Sequence, residues 1–328
     1  YIAIVDAKST PFVSMAPKGK DIGNMQFSWQ VDNYGVPVLG GVPDGTDVTV
    51  ANASNPVVNR TRLNNFGQAF RRDLRIGFIA ETQEVAGVTD ELANGIAKKL
   101  VEIKRDMEST FMCTNQPSQM DTGVGGNAYR TGSLGNWLNA DNSANIGACA
   151  SGSPFKPASG AIDTTAAASF VEATAQNVLT AIYSATGTFR DYDCILGSTL
   201  KRAFTNLTAS GSVVVTTPNT GVAATSVRTF NQDLGADTFK ASIDVFEGDF
   251  GRLILHPTQF IGSTPGTTLT ATPTKGYVIP MDMVEVRYAK LPQVKNLPDS
   301  GGGPARLVEA IAGLVVKNPS GFGFFNGA

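Results

Sequence analysis

Chemistry in this chain would have to run through very few side chains. His256 is its only histidine, and Pro257 follows it. A Ser-His-Asp or Cys-His relay needs an imidazole to carry the proton, so any such site would be built there. The position otherwise reads as a hydrogen-bonded residue at a strand end. Cys113, Cys149 and Cys194 are far apart and odd in number. They fit reduced, structural thiols of a protein made in a cytoplasm and give no CxxC signature; spacing alone leaves open whether one pair is bridged. One histidine and scattered cysteines fall short of a zinc ligand set, and the acidic residues lack EF-hand spacing. The glycines at Gly123–Gly126 and Gly301–Gly303 match neither the phosphate-binding loop nor the dinucleotide fingerprint and read as loop. Asp141, Asp191, Asp193 and Asp249 would form a carboxylate pair only if the fold gathered them. The expectation is no enzyme, no cofactor and no metal site.

The charge feature that stands out is basic. Arg60, Arg62, Arg71, Arg72 and Arg75 fall within one stretch, interleaved with Phe66 and Phe70. Three readings stay open: a solvated strand face, guanidinium forks aimed at carboxylates of a neighbouring subunit, or a track for single-stranded nucleic acid. The sparse aromatics (Phe66, Phe70, Phe78) count against the last.

The element that must position these arginines follows them directly. From Thr89 to Met112, apolar residues recur at Leu92, Ile96, Leu100, Ile103, Met107 and Phe111, at spacings of four, four, three, four and four. That is one stripe on a helix about 36 Å long. Thr89 is placed to cap it, with Asp90 and Glu91 in its first turn. Lys98 with Glu102, and Lys104 with Glu108, read as exposed pairs four residues apart. A rod of this length acts as a spine.

Residues 1–30 read as an extended arm in which Pro11 and Pro17 oppose helix. Residues 31–87 read as a hairpin-like excursion with turns at Asn33-Tyr34-Gly35, Pro43-Asp44-Gly45 and Asn64-Asn65-Phe66-Gly67. Residues 113–162, dense in Gly, Asn, Ser and Ala, read as a surface insertion with short elements around Trp137. Residues 163–283 read as a mixed α/β unit. It holds a helix from Thr165 to Thr186 ended by Gly187, a strand at Tyr192–Leu196, a helix from Ser198 to Ala209, and a hairpin of Phe239–Phe246 with Gly251–Pro257. Residues 284–328 return as strands, Met283–Leu291 with one wet face and Leu307–Lys317 apolar enough to be central. Phe27, Trp29, Phe66, Phe70, Phe78 and Ile79 are expected to be exposed in a lone subunit, because an arm and a hairpin cannot cover their own apolar side chains.

Composition supports a folded protein with much loop and strand. Of 328 residues, 42% are hydrophobic, while 35 are Gly and 17 Pro, above usual proportions for those two. The net charge of −2 supplies no global field to hold nucleic acid or acidic lipid. No apolar run reaches the ~20 residues of a membrane span.

The order of arm, excursion, long helix, α/β unit and return strands resembles that of the HK97-like major capsid proteins of tailed phages. It is most similar to the SU10-type branch, through TPFVSMAPKGK with FSWQVD in the arm, TRLNNFGQAF leading to GVTDELANGIAKKLVEIKRDMEST, and FEGDFGRLILHP in the late hairpin. The resemblance implies an α+β fold with an N-terminal arm (1–30), an E-loop (31–87), a P-domain spine helix (88–112), an insertion (113–162), an A-domain (163–283) and return strands to the P-domain (284–328). It implies a structural subunit, made in the bacterial cytoplasm, that self-assembles into hexamers and pentamers of an icosahedral head enclosing double-stranded DNA. Expected partners are scaffolding and portal proteins, a decoration protein, and non-specific contact with the packaged DNA, with no membrane. Arg60, Arg62, Phe66, Phe70, Arg71, Arg72 and Arg75 would meet an adjacent subunit. Some such shells are welded by a lysine of the E-loop, but no lysine lies between Lys20 and Lys98, which argues for non-covalent contacts. A tail component, adhesin or surface-layer subunit is the alternative.

Overall fold

The computed structural model describes residues 9–32, 34, 37, 39–47, 60–82, 90–138, 156–209, 243–262, 269–299 and 301–327. The main elements begin with α1 (Pro11–Met15), β1 (Gln26–Val31), β2 (Thr61–Phe66), β3 (Gln68–Arg75), α2 (Phe78–Thr82) and α3 (Glu91–Phe111). They continue with α4 (Leu134–Leu138), β4 (Ile162–Asp163), α5 (Glu172–Thr186), β5 (Arg190–Leu196), α6 (Ser198–Ala209), β6 (Val245–Gly248) and β7 (Gly251–Pro257). The last four are β8 (Gly276–Ile279), β9 (Val284–Leu297), β10 (Ala305–Val316) and β11 (Gly323–Phe325).

Among the described residues the strands form three sheets. β1 and β2 pair antiparallel, β10 lies between β3 and β9, and six strands run in the order β4-β11-β8-β5-β7-β6. The expected spine is α3, 21 residues long and so about 32 Å at 1.5 Å per residue. Its cap is Asp90, whose Oδ1 accepts the Ala93 N–H at 3.0 Å; a carboxylate there satisfies an orphan donor and complements the helix dipole. α3 lies on the three-stranded sheet, where Val308, Ala310 and Ala312 of β10 are fully buried in the same core as Ile103, Met107 and Phe111. β10 is central in its sheet, as its run of apolar residues predicts. β9 extends six residues past the expected end because β10 pairs with it as far as Ala305↔Leu297.

A second core lies between α5, α6 and the six-stranded sheet, with Val178, Ile182, Phe204, Leu253 and Phe325 buried. Gly187 ends α5 with φ 65°, its N–H donating to the Tyr183 carbonyl, as expected of a left-handed cap. The helix starts seven residues later than its periodicity predicts. Thr165 is folded back onto Asp163 Oδ1, and Phe170 leaves the helical path to put its ring against Phe204 and Phe325 at 4.7 and 5.7 Å. Among the described residues, the late hairpin is β6 with β7 around the Gly248–Gly251 turn; residues 239–242 lie outside the described residues.

Three expectations are overturned. The arm contains a helix: Pro11 occupies its first turn, where a missing N–H costs nothing, and β1 follows. Residues 113–118 and 131–138 are not a surface insertion, whereas residues 120–128 between them are exposed. Cys113, Thr131, Ser133, Leu134, Trp137 and Leu138 are all buried, and the Tyr277 hydroxyl donates to the Met112 and Cys113 carbonyls from the six-stranded sheet. Gly135 allows that approach, since a Cβ there would stand 2.5 Å from Thr114 Cα. Small polar residues mark close backbone packing here, a pattern that composition cannot separate from loop. Finally, Phe27, Phe66 and Phe70 are buried within the single chain and Trp29 packs against its core, while Phe78 and Ile79 are exposed. β1 and β2 cover each other and the core behind them, which the extended reading left out.

Candidate assembly surface

The arginine segment spans two sheets. β1 pairs with β2 in the register Val31↔Thr61, which closes the base of the excursion, and Arg60 Nε reaches Asp32 Oδ2 at 3.2 Å across that base. The expected turn at 64–67 is instead a crossing point. Gly67 N–H donates to the Met25 carbonyl at 2.8 Å, and β3 then pairs with β10. Asn65, fully buried, fixes the crossing. Its Nδ2 donates to the Leu314 and Gly132 carbonyls at 2.7 and 3.3 Å, and its Oδ1 accepts the Gly132 N–H at 2.7 Å. The Pro43–Asp44–Gly45 turn forms as expected, closed by the Thr46 N–H donating to the Pro43 carbonyl. Residues 33 and 35, and with them the expected turn there, lie outside the described residues. Within the excursion Leu39 and Val42 are exposed.

Alternation along β3 sends its arginines to two faces. Phe70 is buried and Arg72 lies over α3, where its fork is bidentate to Asp106 at 2.7 Å on both arms, with Glu102 at 3.8 Å. The Asp106 hydrogen bond raises the Arg72 pKa further. Arg75 is 3.8 Å from Asp299, in the β9–β10 turn. Arg60, Arg72 and Arg75 thus take carboxylates from their own chain, where the sequence reading looked to a neighbouring subunit. Arg62 and Arg71 are exposed, and among the described residues neither has an ion pair. Phe66 and Phe70, placed with them on the expected contact, are core residues.

Sequence reasoning missed the group opposite Arg71. Glu309 of β10 pairs in register with Arg71. It is met by Lys290 and by Lys295 at 2.7 Å, both from β9. Hydrogen bonds from Lys290 first and Lys295 second hold its carboxyl down at about 2. The three cations around one carboxylate form the outer face of this sheet. No sequence period announces it, because Arg71 comes from a strand nearly 240 positions before Glu309 and the two lysines from a different strand, β9.

The spine stripe divides into two halves. Ile103, Met107 and Phe111 are buried and Leu100 packs against the core, while Leu92 and Ile96 are half-buried. A cleft of about 450 Å³ opens beside that upper half, lined by Leu74 and Ile76, by the cations Arg75, Lys98 and Lys99, and by the carboxylates Glu91 and Glu102. Lys98 does not pair as expected; Lys99 holds Glu102 at 2.9 Å. Glu108, read as a surface partner of Lys104, is fully buried. Its oxygens accept the Phe12 and Val13 N–H groups at 2.9 and 2.7 Å. Its place one turn before Phe111, beside Met107, was the available signal.

Among the described residues, those that chemistry would need take structural places. His256 lies at the end of β7, where Nε2 meets Asp193 Oδ1 of the neighbouring β5 at 2.9 Å, the hydrogen-bonded strand-end role that its sequence context predicts. Asp191 holds Arg252 instead. Cys113 and Cys194 are buried free thiols, and burial raises the pKa of both, the opposite of a reactive thiolate. Cys149 and Asp141 lie outside the described residues. Among the described residues no group of acidic, His and Cys side chains is gathered to hold a metal, and no helix is long and apolar enough to cross a membrane.

Comparison with known proteins bears on this geometry. A family profile described as SU10 major capsid protein matches residues 1–328. Curated protein sequences give no significant match. Solved structures with the same fold include the capsid of the cyanophage P-SCSP1u, with TM-score 0.54 and 10% identity over 100% of this chain and 91% of that one. The capsid of a native GTA particle gives 0.55 and 12% over 99% and 92%, and a Gordonia phage Cozz chain gives 0.51 and 13% over 100% and 91%. At such identity the likeness is one of fold, the α+β fold of HK97-like capsids.

Proposed function

The chain belongs to the SU10 major capsid protein family, and we propose that, as the structural subunit of a virion shell, it assembles with copies of itself into the hexamers and pentamers of an icosahedral head. The observation that carries this reading is the match of the family over the whole chain, together with a fold shared end to end with phage capsids. The role is structural rather than catalytic.

Within that reading, residues 1–30 form the arm, 31–87 the E-loop, 88–112 the spine and 163–283 the A-domain. Residues 284–328 return to the P-domain. Residues 113–118 and 131–138 join the core rather than an insertion, while 120–128 are exposed, which confines that label to part of 113–162. The excursion of one subunit, with exposed Leu39 and Val42, offers apolar side chains to the cleft at Leu74 and Ile76 of the next. Arg62 and Arg71 remain available for contact between subunits. With no lysine from 21 to 97, the shell is held without an E-loop lysine cross-link, by many repeated interfaces. Scaffolding and portal proteins, a decoration protein and packaged double-stranded DNA are the further partners, and the weak net charge suits a shell that grips its genome loosely.

Electron microscopy of the purified chain after size exclusion tests the reading. Closed shells or uniform six-fold capsomers are expected. A small monodisperse species that persists on co-expression with candidate scaffolds defeats it.

A further inference from the structure

The amino-terminal segment is fastened to the rest of the molecule at three places. Phe12 is fully buried, its ring edge-on to Phe111 at 6.2 Å. Farther on, the segment adds itself to the edge of β9. Val286 N–H donates to the Pro17 carbonyl, Gly19 N–H to the Val286 carbonyl and Ile22 N–H to the Tyr288 carbonyl, each at 3.0 Å. The third fastening is Glu108, a carboxylate with no exposed surface whose two oxygens take the N–H groups of Phe12 and Val13.

We propose that Glu108 is a proton-sensitive clasp for the amino-terminal segment: the segment is held most firmly when Glu108 carries a proton, and is loosened when an ionised carboxylate must stay out of water. A buried charge needs a partner or several donors to offset lost hydration, and here it has two neutral N–H groups. Cations stand on the surrounding elements but are engaged elsewhere. On α3, Lys104 is exposed, Arg105 lies over the Phe260 ring and Asp106 is taken by Arg72. On the segment, Lys18 pairs with Asp21. On β9, Glu285 pairs with Arg287 and Lys317. On β3, Arg71 faces away, towards Glu309. Burial therefore dominates and raises Glu108 to about 7, against the lowering effect of the Val13 and Phe12 N–H groups.

When the segment lifts, the carboxyl returns to water and to its ordinary value of 4.5, so the held state binds the proton more tightly. The contribution to holding is complete below 4.5 and is lost as pH rises through 7. Between pH 5 and pH 8 the holding equilibrium should weaken by about 70-fold. Release would uncover the backbone groups of Val286 and Tyr288.

Hydrogen exchange of the full chain by mass spectrometry, from pH 5 to pH 8.5 and normalised for intrinsic exchange, reads this directly. Peptides covering residues 11–22 should lose protection by about 70-fold, while those covering β5 and β7 should not. Glu108→Gln should hold the segment less firmly at pH 5 yet show no slope. A flat wild-type profile, or an unchanged slope in Glu108→Gln, overturns the proposal. If that variant does not accumulate folded, limited proteolysis of the wild type within residues 9–24 carries the same test. A cleavage rate independent of pH, once corrected for the protease, overturns it.

Discussion

The two faces of the three-stranded sheet treat the same chemical group in opposite ways. Towards α3, a carboxylate (Glu108) sits among Phe12, Met107 and Phe111 and is raised to about 7 by burial. On the far face another, Glu309, sits under Lys290 and Lys295 and is held at about 2 by their hydrogen bonds. The inner face is finished within one chain, because apolar side chains from the arm, the spine and β10 already fill it. The outer face carries an excess of cation and the exposed side chains of Arg71 and Leu297. In a shell subunit, the first face holds the monomer together and the second has surface to offer a neighbour.

The largest break in this comparison comes from a core residue against an outer one. Phe111→Ala removes a ring packed edge-on against Phe12 and Phe70 and should cost about 4 kcal/mol in denaturant unfolding. Leu297→Ala, on the exposed end of β9, should stay within about 0.5 kcal/mol. Similar losses at both sites would erase the distinction between the faces.

Next in size is the response to pH, where the two carboxylates should act on opposite limbs. Glu108 contributes stability below 4.5 that fades as pH rises through 7. Over that window Glu108→Gln should remove a change of about 3 kcal/mol. Glu309, with its folded value depressed, contributes above its ordinary range and loses that contribution as pH falls towards 2. Glu309→Gln should therefore flatten the acid limb only, and should leave Arg71, Lys290 and Lys295 repelling one another. Stability measured by urea unfolding between pH 3 and pH 8 separates them; a single variant that flattens both limbs would show that the two sites are coupled.

Much of this frame was legible in the sequence, and what was missed has a common physical cause. The spine was readable because six apolar residues at helical spacing must share a face, and the central place of β10 because the run from Ala310 to Val316 holds no polar side chain. Gly187 and the Pro43 turn were readable because local backbone geometry selects glycine and proline there. The buried state of residues 131–138 was not, since Thr131, Ser133 and Gly135 are small or polar and their burial depends on Asn65 and Tyr277 from distant segments. Glu108 failed for the same reason. Lys104 four residues away suggested a surface pair, but the donors that claim Glu108 come from nearly a hundred residues upstream. Short-range patterns report short-range causes, and the partners of the arginines were likewise set by pairing across the sheets.

The smallest effects should fall on the arginines, and they sharpen the comparison most. Arg72 bridges β3 to the spine but is partly exposed, so Arg72→Ala should cost under about 1 kcal/mol of subunit stability. Arg62→Ala with Arg71→Ala removes two exposed guanidinium groups that, among the described residues, hold no ion pair, and should leave subunit stability within about 0.5 kcal/mol. If these two serve contacts between subunits, shells of the double variant should dissociate at lower denaturant than wild-type shells. That gap should be widest at low salt and close as ions screen the missing pairs over about 10 Å. Arg72→Ala shells should show no such salt-dependent gap, because its carboxylates travel with it in the same chain. Should the Arg72 variant prove the salt-sensitive one, the division between a face that closes the subunit and a face that meets its neighbours would have to be redrawn with Arg72 on the outer side.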